Sequence, residues 1–327
     1  MILVTGGAGF IGSNIVAALA GRGQAVAVCD FVGSAGKWRN LAKSELRDVV
    51  HPSQLPGWLK RHRHALTAIV HMGAISATSA TDGDLVLRTN FRLSWQLWQW
   101  CAYHRKQFIY ASSAATYGNG DQGYDDDGSP AALAKLRPLN LYGWSKHLFD
   151  RRVARAVAEG EPAPSQWAGL KFFNVYGPNE YHKGNMQSVV ARSYPAAAAG
   201  DAVMLFKSHR TGIADGDQRR DFVYVEDCVD VVLWLLGHPT VNGLYNVGSG
   251  AARSFAELIH ALFTALGRPA RIVYRDMPEA LRAHYQYYTE ARMQRLRAAG
   301  YGQPSTPIEQ GVRRYVEGYL SQPDPYR

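Results

Sequence analysis

The 327-residue chain is poor in cysteine: Cys29, Cys101 and Cys228 lie far apart and form no CxxC pair. Three thiols cannot all pair internally, so a disulfide scaffold is excluded, and no metal site is expected. They read as small buried hydrophobes in a reducing compartment. No uninterrupted apolar run approaches the roughly 18 residues that span a bilayer. The start, MILVTGGAGF, lacks the basic and long apolar regions of a secretory signal, so a cytoplasmic location away from the membrane is expected. Blocks of one charge sign are also scarce. The formal net charge is +9, yet the positive residues are scattered, apart from Lys60-Arg61-His62-Arg63-His64, which reads as the solvated face of a short helix. No nucleic-acid-binding signature accompanies that run, so nucleic acid is not an expected partner; the same charge steers small anionic ligands. Internal repeats and low-complexity linkers are absent.

What is present is 46% apolar and 19% charged, the balance of a globular chain with a substantial core, long enough for two lobes. Met1–Thr5, Ala25–Cys29, Ala68–His71 and Gln107–Ala111 are short apolar runs, each separated from the next by a segment able to form a helix. Strands alternating with helices predict an α/β fold, a doubly wound parallel Rossmann sheet covered on both faces. Helical spacing of Trp95, Trp98 and Cys101 reads as packing, and the aromatic stretch Trp95–Trp100 suggests a homo-oligomer. Asp121–Pro138, rich in Gly, Asp and Pro, is expected to be a surface loop. Beyond Pro178 the pattern loosens, which predicts a smaller α+β lobe interleaved with the first. The expected division is 1–173 and 217–247 for the dinucleotide lobe, and 174–216 and 248–327 for the substrate lobe.

Thr5-Gly6-Gly7-Ala8-Gly9-Phe10-Ile11-Gly12 follows a strand, opens a helix and precedes an acid, Asp30, at the end of the second strand. In that setting Gly7 permits the tight turn, Gly9 lets backbone N–H groups approach a pyrophosphate, and Gly12 lets the helix pack closely. Asp30 suits the ribose hydroxyls of NAD, whereas Lys37 or Arg39 suits the 2′-phosphate of NADP, so the residues alone leave the dinucleotide open.

Tyr142 and Lys146 form a YxxxK pair, sharing one face of a helix. A neighbouring ammonium lowers the pKa of a phenol that otherwise titrates near 10, making it a usable base. Ser113, in Tyr110-Ala111-Ser112-Ser113, stands at a strand end where it would hydrogen-bond the reacting oxygen.

Together with Arg219-Arg220-Asp221-Phe222-Val223-Tyr224-Val225, these motifs resemble the extended short-chain dehydrogenases that modify nucleotide sugars. The resemblance spans nearly the whole chain. More narrowly, Tyr110–Gly118 (YASSAATYG), Leu139–Asp150 (LNLYGWSKHLFD), Phe173–Gly184 (FNVYGPNEYHKG) and Tyr285–Ala291 (YQYYTEA) resemble the ADP-heptose 6-epimerases. The resemblance implies oxidation and re-reduction at C6″ of the heptose, in supply of lipopolysaccharide core sugar, with NADP favoured over NAD. It further implies that Phe10 and Ile11 touch the cofactor, that Asp30, Phe31 and Lys37 sit at its adenosine end, and that Met72, Gly73, Ala74, Ile75, Ser76 and Asn90 line its path. Tyr142 would be one acid/base and Lys183 the second. From its sequence surroundings alone Lys183 reads as a phosphate-binding or solvated lysine. Asn174, Val175, Asn185, Arg192, Phe206, Lys207, Ser208, His209, Arg220 and Tyr285 would surround the ADP-sugar. Arg220 reads equally as a diphosphate clamp or as an ion-pair partner of Asp221. Phe31 and Asn185 depart from the family pattern, which commonly has a polar residue and often a serine there.

Three rivals stand beside this reading. A 4,6-dehydratase needs an acid after its catalytic hydroxyl, and Ser113 is followed by Ala114 and Ala115. A UDP-hexose 4-epimerase does not account for YHKG and YQYYTEA. A non-catalytic redox sensor has no use for the Tyr142–Lys146 pair.

Overall fold

A computed structural model describes residues 1–34, 36–282 and 285–327. Its strands are β1 (Ile2–Thr5), β2 (Val26–Cys29), β3 (Asp48–Val50), β4 (Ala68–His71), β5 (Gln107–Ser113), β6 (Gln166–Phe172), β7 (Asn174–Tyr176), β8 (Val203–Phe206), β9 (Arg219–Tyr224), β10 (Gly243–Val247), β11 (Ala252–Ser254) and β12 (Ile272–Arg275). β1, β2 and β4 are buried at every position, as apolar runs covered on both faces require. They belong to a seven-stranded sheet in the order β10-β6-β5-β4-β1-β2-β3, parallel throughout. β4 is central, flanked by β5 and β1, so Thr5, His71 and Ser113 end neighbouring strands at one edge, where ligands of doubly wound sheets gather.

A three-stranded sheet, β11-β9-β7, and the β12-β8 pair form the rest, closed by helices Val189–Ala199, Phe255–Ala265 and Ile308–Tyr315 around Val190, Leu262, Phe263, Val312 and Tyr315. Strand pairing and packing cross the expected division of the chain at two points. β9, assigned to the dinucleotide lobe, pairs with β7 and β11 in the small sheet. Leu296 and Tyr301, assigned to the substrate lobe, pack into the core of the large sheet with Val229 and Val232. The expected surface loop Asp121–Pro138 dips inward: it contains the helix Pro130–Leu133 and buries Tyr124, Asp126, Leu133 and Leu136.

The aromatic helix Leu93–His104 also turns inward. Trp98 is fully buried, and Trp95 lies under the Arg152 guanidinium at 3.8 Å, leaving Tyr103 as the exposed large ring. All three cysteines are free and buried. Among the described residues no helix is long and apolar enough to cross a membrane, and no His, Cys, Asp or Glu cluster could hold a metal.

Candidate active site

The turn after β1 is shaped by two glycines. Gly6 has φ +66°, and a Cβ there would lie 2.5 Å from Gly73 N. A Cβ on Gly12 would lie 2.1 Å from Gly6 O. The left-handed residue of this turn is therefore Gly6, while Gly7, expected to permit the tight turn, faces the Val28 side chain. Gly9 caps helix Phe10–Gly21 without a side-chain bond, so among the described residues the first-turn N–H groups of Phe10, Ile11 and Gly12 have no intrahelical or side-chain partner. Their charge and the space the glycines leave fit a pyrophosphate.

At the end of β2, Asp30 takes the Ala8 N–H at 2.9 Å on one oxygen and the Lys37 ammonium at 2.8 Å on the other. Lys37 also donates to Phe31 O. Arg39, the other basic candidate, lies over the Trp38 and Tyr326 rings instead. Phe31 is exposed and meets His51 edge-on. Asn40 is buried between two distant stretches of backbone, donating to Ala8 O and Asn179 O and lying 3.2 Å from His182 Nδ1.

Past β4, Met72 N donates to Thr5 O, and Asn90 closes a two-way bond with the backbone of Ile75. Gly73 N donates to Thr5 Oγ1; Ala74 and Ser76 complete this irregular run. Asn90 also donates to Ser145 Oγ, which donates to Tyr142 O. Ser94 gives its proton to Asn90 O, so His71 Nε2 must donate to Ser94, and Nδ1 must accept from Thr5. Burial and the nearby Lys146 charge push the His71 pKa down to about 3, keeping the ring neutral. This chain of bonds ties β1 and β4 to the helix Leu141–Ala158, whose N-terminus Asn140 caps through Gly143 N.

On that helix Tyr142 reaches Ser113, whose hydrogen bond partly offsets the rise that burial imposes on the phenol. Lys146 is buried and donates to Ala111 O at 2.7 Å; burial lowers its pKa to about 8, against the opposing pull of Asp150. Lys183 is half-buried in the turn Tyr181–Met186, its ammonium 5.0 Å from the centre of the Phe10 ring. Burial lowers its pKa and Glu180 raises it. Tyr142 is thus tied to the end of β5, and Lys183 to the Phe10 ring that follows β1, with β4 between those two strands.

Arg220 on β9 is buried, lies over the Tyr285 and Phe255 rings, and among the described residues meets no carboxylate within salt-bridge distance. Asp221 is occupied otherwise, accepting from Ser249 N, Gly250 N and Ala291 N, so the ion-pair reading of Arg220 fails. The segment Tyr285–Ala291 runs beside β9 through Arg219 N to Tyr287 O and Thr289 N to Arg219 O, while Gln286 reaches back to Gly118 O. Gln218 binds the carbonyls of Phe206 and Lys207, Ser208 N donates to Asp215, and His209 joins Tyr287 OH to Met277 N. Asn174 and Val175 lie on β7 against β9. Asn185 and Arg192 are exposed and make no side-chain hydrogen bond among the described residues.

Asn40, Asp150 and Lys171 belong to this region and were not anticipated. Asp150 had a signal, standing four residues after Lys146; Lys171 is a lone charge in the apolar run Leu170–Phe173. Asn40 had none.

Residues 2–248 match the model of the NAD dependent epimerase/dehydratase family. An ADP-L-glycero-D-manno-heptose-6-epimerase of Fusobacterium nucleatum subsp. nucleatum is 44% identical, with all of both chains covered. The crystal structure of the Helicobacter pylori ADP-L-glycero-D-manno-heptose-6-epimerase is similar at TM-score 0.80 and 29% identity, over 97% of this chain and 95% of that one. A Thermus thermophilus UDP-glucose 4-epimerase in complex with NAD is similar at TM-score 0.73 and 26% identity, over 97% of each.

Proposed function

The chain belongs to the NAD dependent epimerase/dehydratase family, and from that premise we propose that it epimerises ADP-D-glycero-D-manno-heptose at C6″ to the L-glycero form used in the lipopolysaccharide core. Two titratable groups support this reading: Tyr142 with Ser113 at the end of β5, and Lys183 over the Phe10 ring that follows β1. Inverting a carbinol through a ketone needs a proton held on each face, and one side chain cannot easily serve both.

A nicotinamide dinucleotide at the glycine turn would supply the reversible two-electron oxidation. The chain's own groups do the rest. Tyr142 takes the hydroxyl proton, Ser113 orients the oxygen, and Lys146 holds positive charge beside the phenol. Lys183 holds the proton on the other face. Arg220 meets the diphosphate, with Tyr285 beside it. NADP is the proposed dinucleotide, because Lys37 already sits against Asp30 where a 2′-phosphate needs a cation.

Purified protein incubated without added cofactor should interconvert the two C6″ epimers, resolved by chromatography, and release NADP on denaturation. Tyr142→Phe should cost about 10²- to 10⁴-fold in rate and Lys183→Met a similar factor. Absence of conversion with either dinucleotide supplied would move the assignment to UDP-sugars and 4-epimerisation.

A further inference from the structure

The helix that carries Tyr142 and Lys146 presents a third side chain at the same spacing. Tyr142, Lys146 and Asp150 lie four residues apart and share the face turned to β5. Asp150 is completely buried. One of its oxygens accepts from Tyr110 OH at 3.1 Å, and the other from Ser112 Oγ at 2.7 Å and Lys171 Nζ at 2.8 Å. Lys171, on β6, is equally buried and also donates to Thr116 at 2.7 Å. Between Tyr110 and Ser112, the Ala111 carbonyl accepts from Lys146. Three consecutive residues of one strand therefore grip two successive turns of the helix. Lys146 itself meets no carboxylate within salt-bridge distance among the described residues.

A buried ion pair costs desolvation, and an apolar pair of equal volume holds a fold at least as well. An apolar pair could not place charge one turn beneath Lys146. We propose that Asp150, held by Lys171, is the positioning residue of the Tyr142–Lys146 couple, fixing the helix on β5 and supplying the negative charge that keeps the Lys146 ammonium protonated beside the phenol. This rests on the role given to Tyr142 above.

The groups facing this layer are His71 from β4, Tyr110 from β5, Tyr117 from the turn after it, Lys171 from β6 and His147 on the helix itself. Burial pushes the His71 and His147 pKa values down to about 3 and about 4, and raises both phenols far above their ordinary value, so all four are neutral. Asp150 and Lys171 carry the charge. The Asp150 carboxylate raises the pKa of both Lys146 and Tyr142.

Removing that charge in Asp150→Asn should therefore slide both limbs of the pH–rate profile of the cofactor-loaded enzyme to lower pH, by about one unit or more. Lys171→Met leaves Asp150 uncompensated and should slide them to higher pH. The Asp150→Asn/Lys171→Met double variant should return towards wild type. The same shifts should appear in phenolate absorbance, taken as the difference between each protein and its Tyr142→Phe counterpart. That titration needs no substrate, so it tests Asp150 even if no heptose is converted. Folded variants that are slower but titrate where the wild type does would overturn the proposal and leave the pair a fold element. If Asp150→Asn does not fold, an unmoved Lys171→Met profile overturns it alone.

Discussion

A guanidinium taken out of water costs several kcal/mol unless an anion meets it, and among the described residues Arg220 is met by aromatic rings and by the Arg219 carbonyl, not by a carboxylate. Its deletion should therefore separate binding from folding. Arg220→Met is expected to leave the thermal midpoint of ligand-free protein level or raised, while weakening ADP affinity roughly 10- to 100-fold, the worth of a charge-assisted bond. Calorimetric titration with ADP beside a melting curve reads both; a falling midpoint with unchanged affinity would mean that Arg220 is structural. The sequence left Arg220 open because Asp221 stands next to it. Adjacent residues on a strand point to opposite faces, so adjacency in the chain argued for a pair that the pleat forbids. Lys183 was likewise ambiguous alone, since nothing local says that its turn lies over Phe10.

The β1–turn–helix element was legible almost atom by atom, because glycine spacing is a steric code. The left-handed conformation the turn needs is taken by Gly6, beside the Gly7 credited with the tight turn. The clash that matters there is with Gly73, which bonds to Thr5 across 68 residues of chain and is invisible in the local pattern. Gly12→Ala should be the severest small change here: its methyl would lie 2.1 Å from Gly6 O, backbone against backbone, with no flexible side chain to yield. Loss of co-purified dinucleotide and a destabilisation of about 3 kcal/mol or more, measured by urea unfolding, are expected. Full cofactor retention would show that the turn can open. Elements lacking such a code were less legible. The loop Asp121–Pro138 has the composition of a surface turn, yet Asp126 is buried because it receives the Asn246 N–H of β10, a partner set by topology.

Across the whole molecule, burial of neutral imidazoles ties stability to pH. His71 and His147 are held at about 3 and about 4 in the folded chain against an ordinary 6.5, so the unfolded chain binds the extra protons as pH falls. Their contribution is full above about 6.5 and is lost on the way down. Asp126 opposes them: its carboxyl, raised by burial to about 6, gains a proton in the folded state first. His182 joins the imidazoles, lowered by burial to about 4, while burial raises the carboxyls of Glu180, Asp221, Asp227 and Asp230 alongside Asp126, so each imidazole's share is read one variant at a time. The change in urea midpoint on going from about pH 7 to about pH 5 should be less negative in His147→Gln than in the wild type, and an equal change would reverse the argument. The fold class was plain from alternating apolar runs, whereas the lobe boundary was not, because β9 and Leu296 exchange sides through pairings that no local pattern records. The order of strands also sets a hazard during synthesis. β6 is complete at Phe172, but its outer neighbour β10 begins only at Gly243. While the intervening stretch leaves the ribosome, the nascent sheet shows a bare, apolar edge, an invitation to pair with another chain. Translation speed and chaperone supply over those residues should therefore govern how much protein a cell recovers in soluble form.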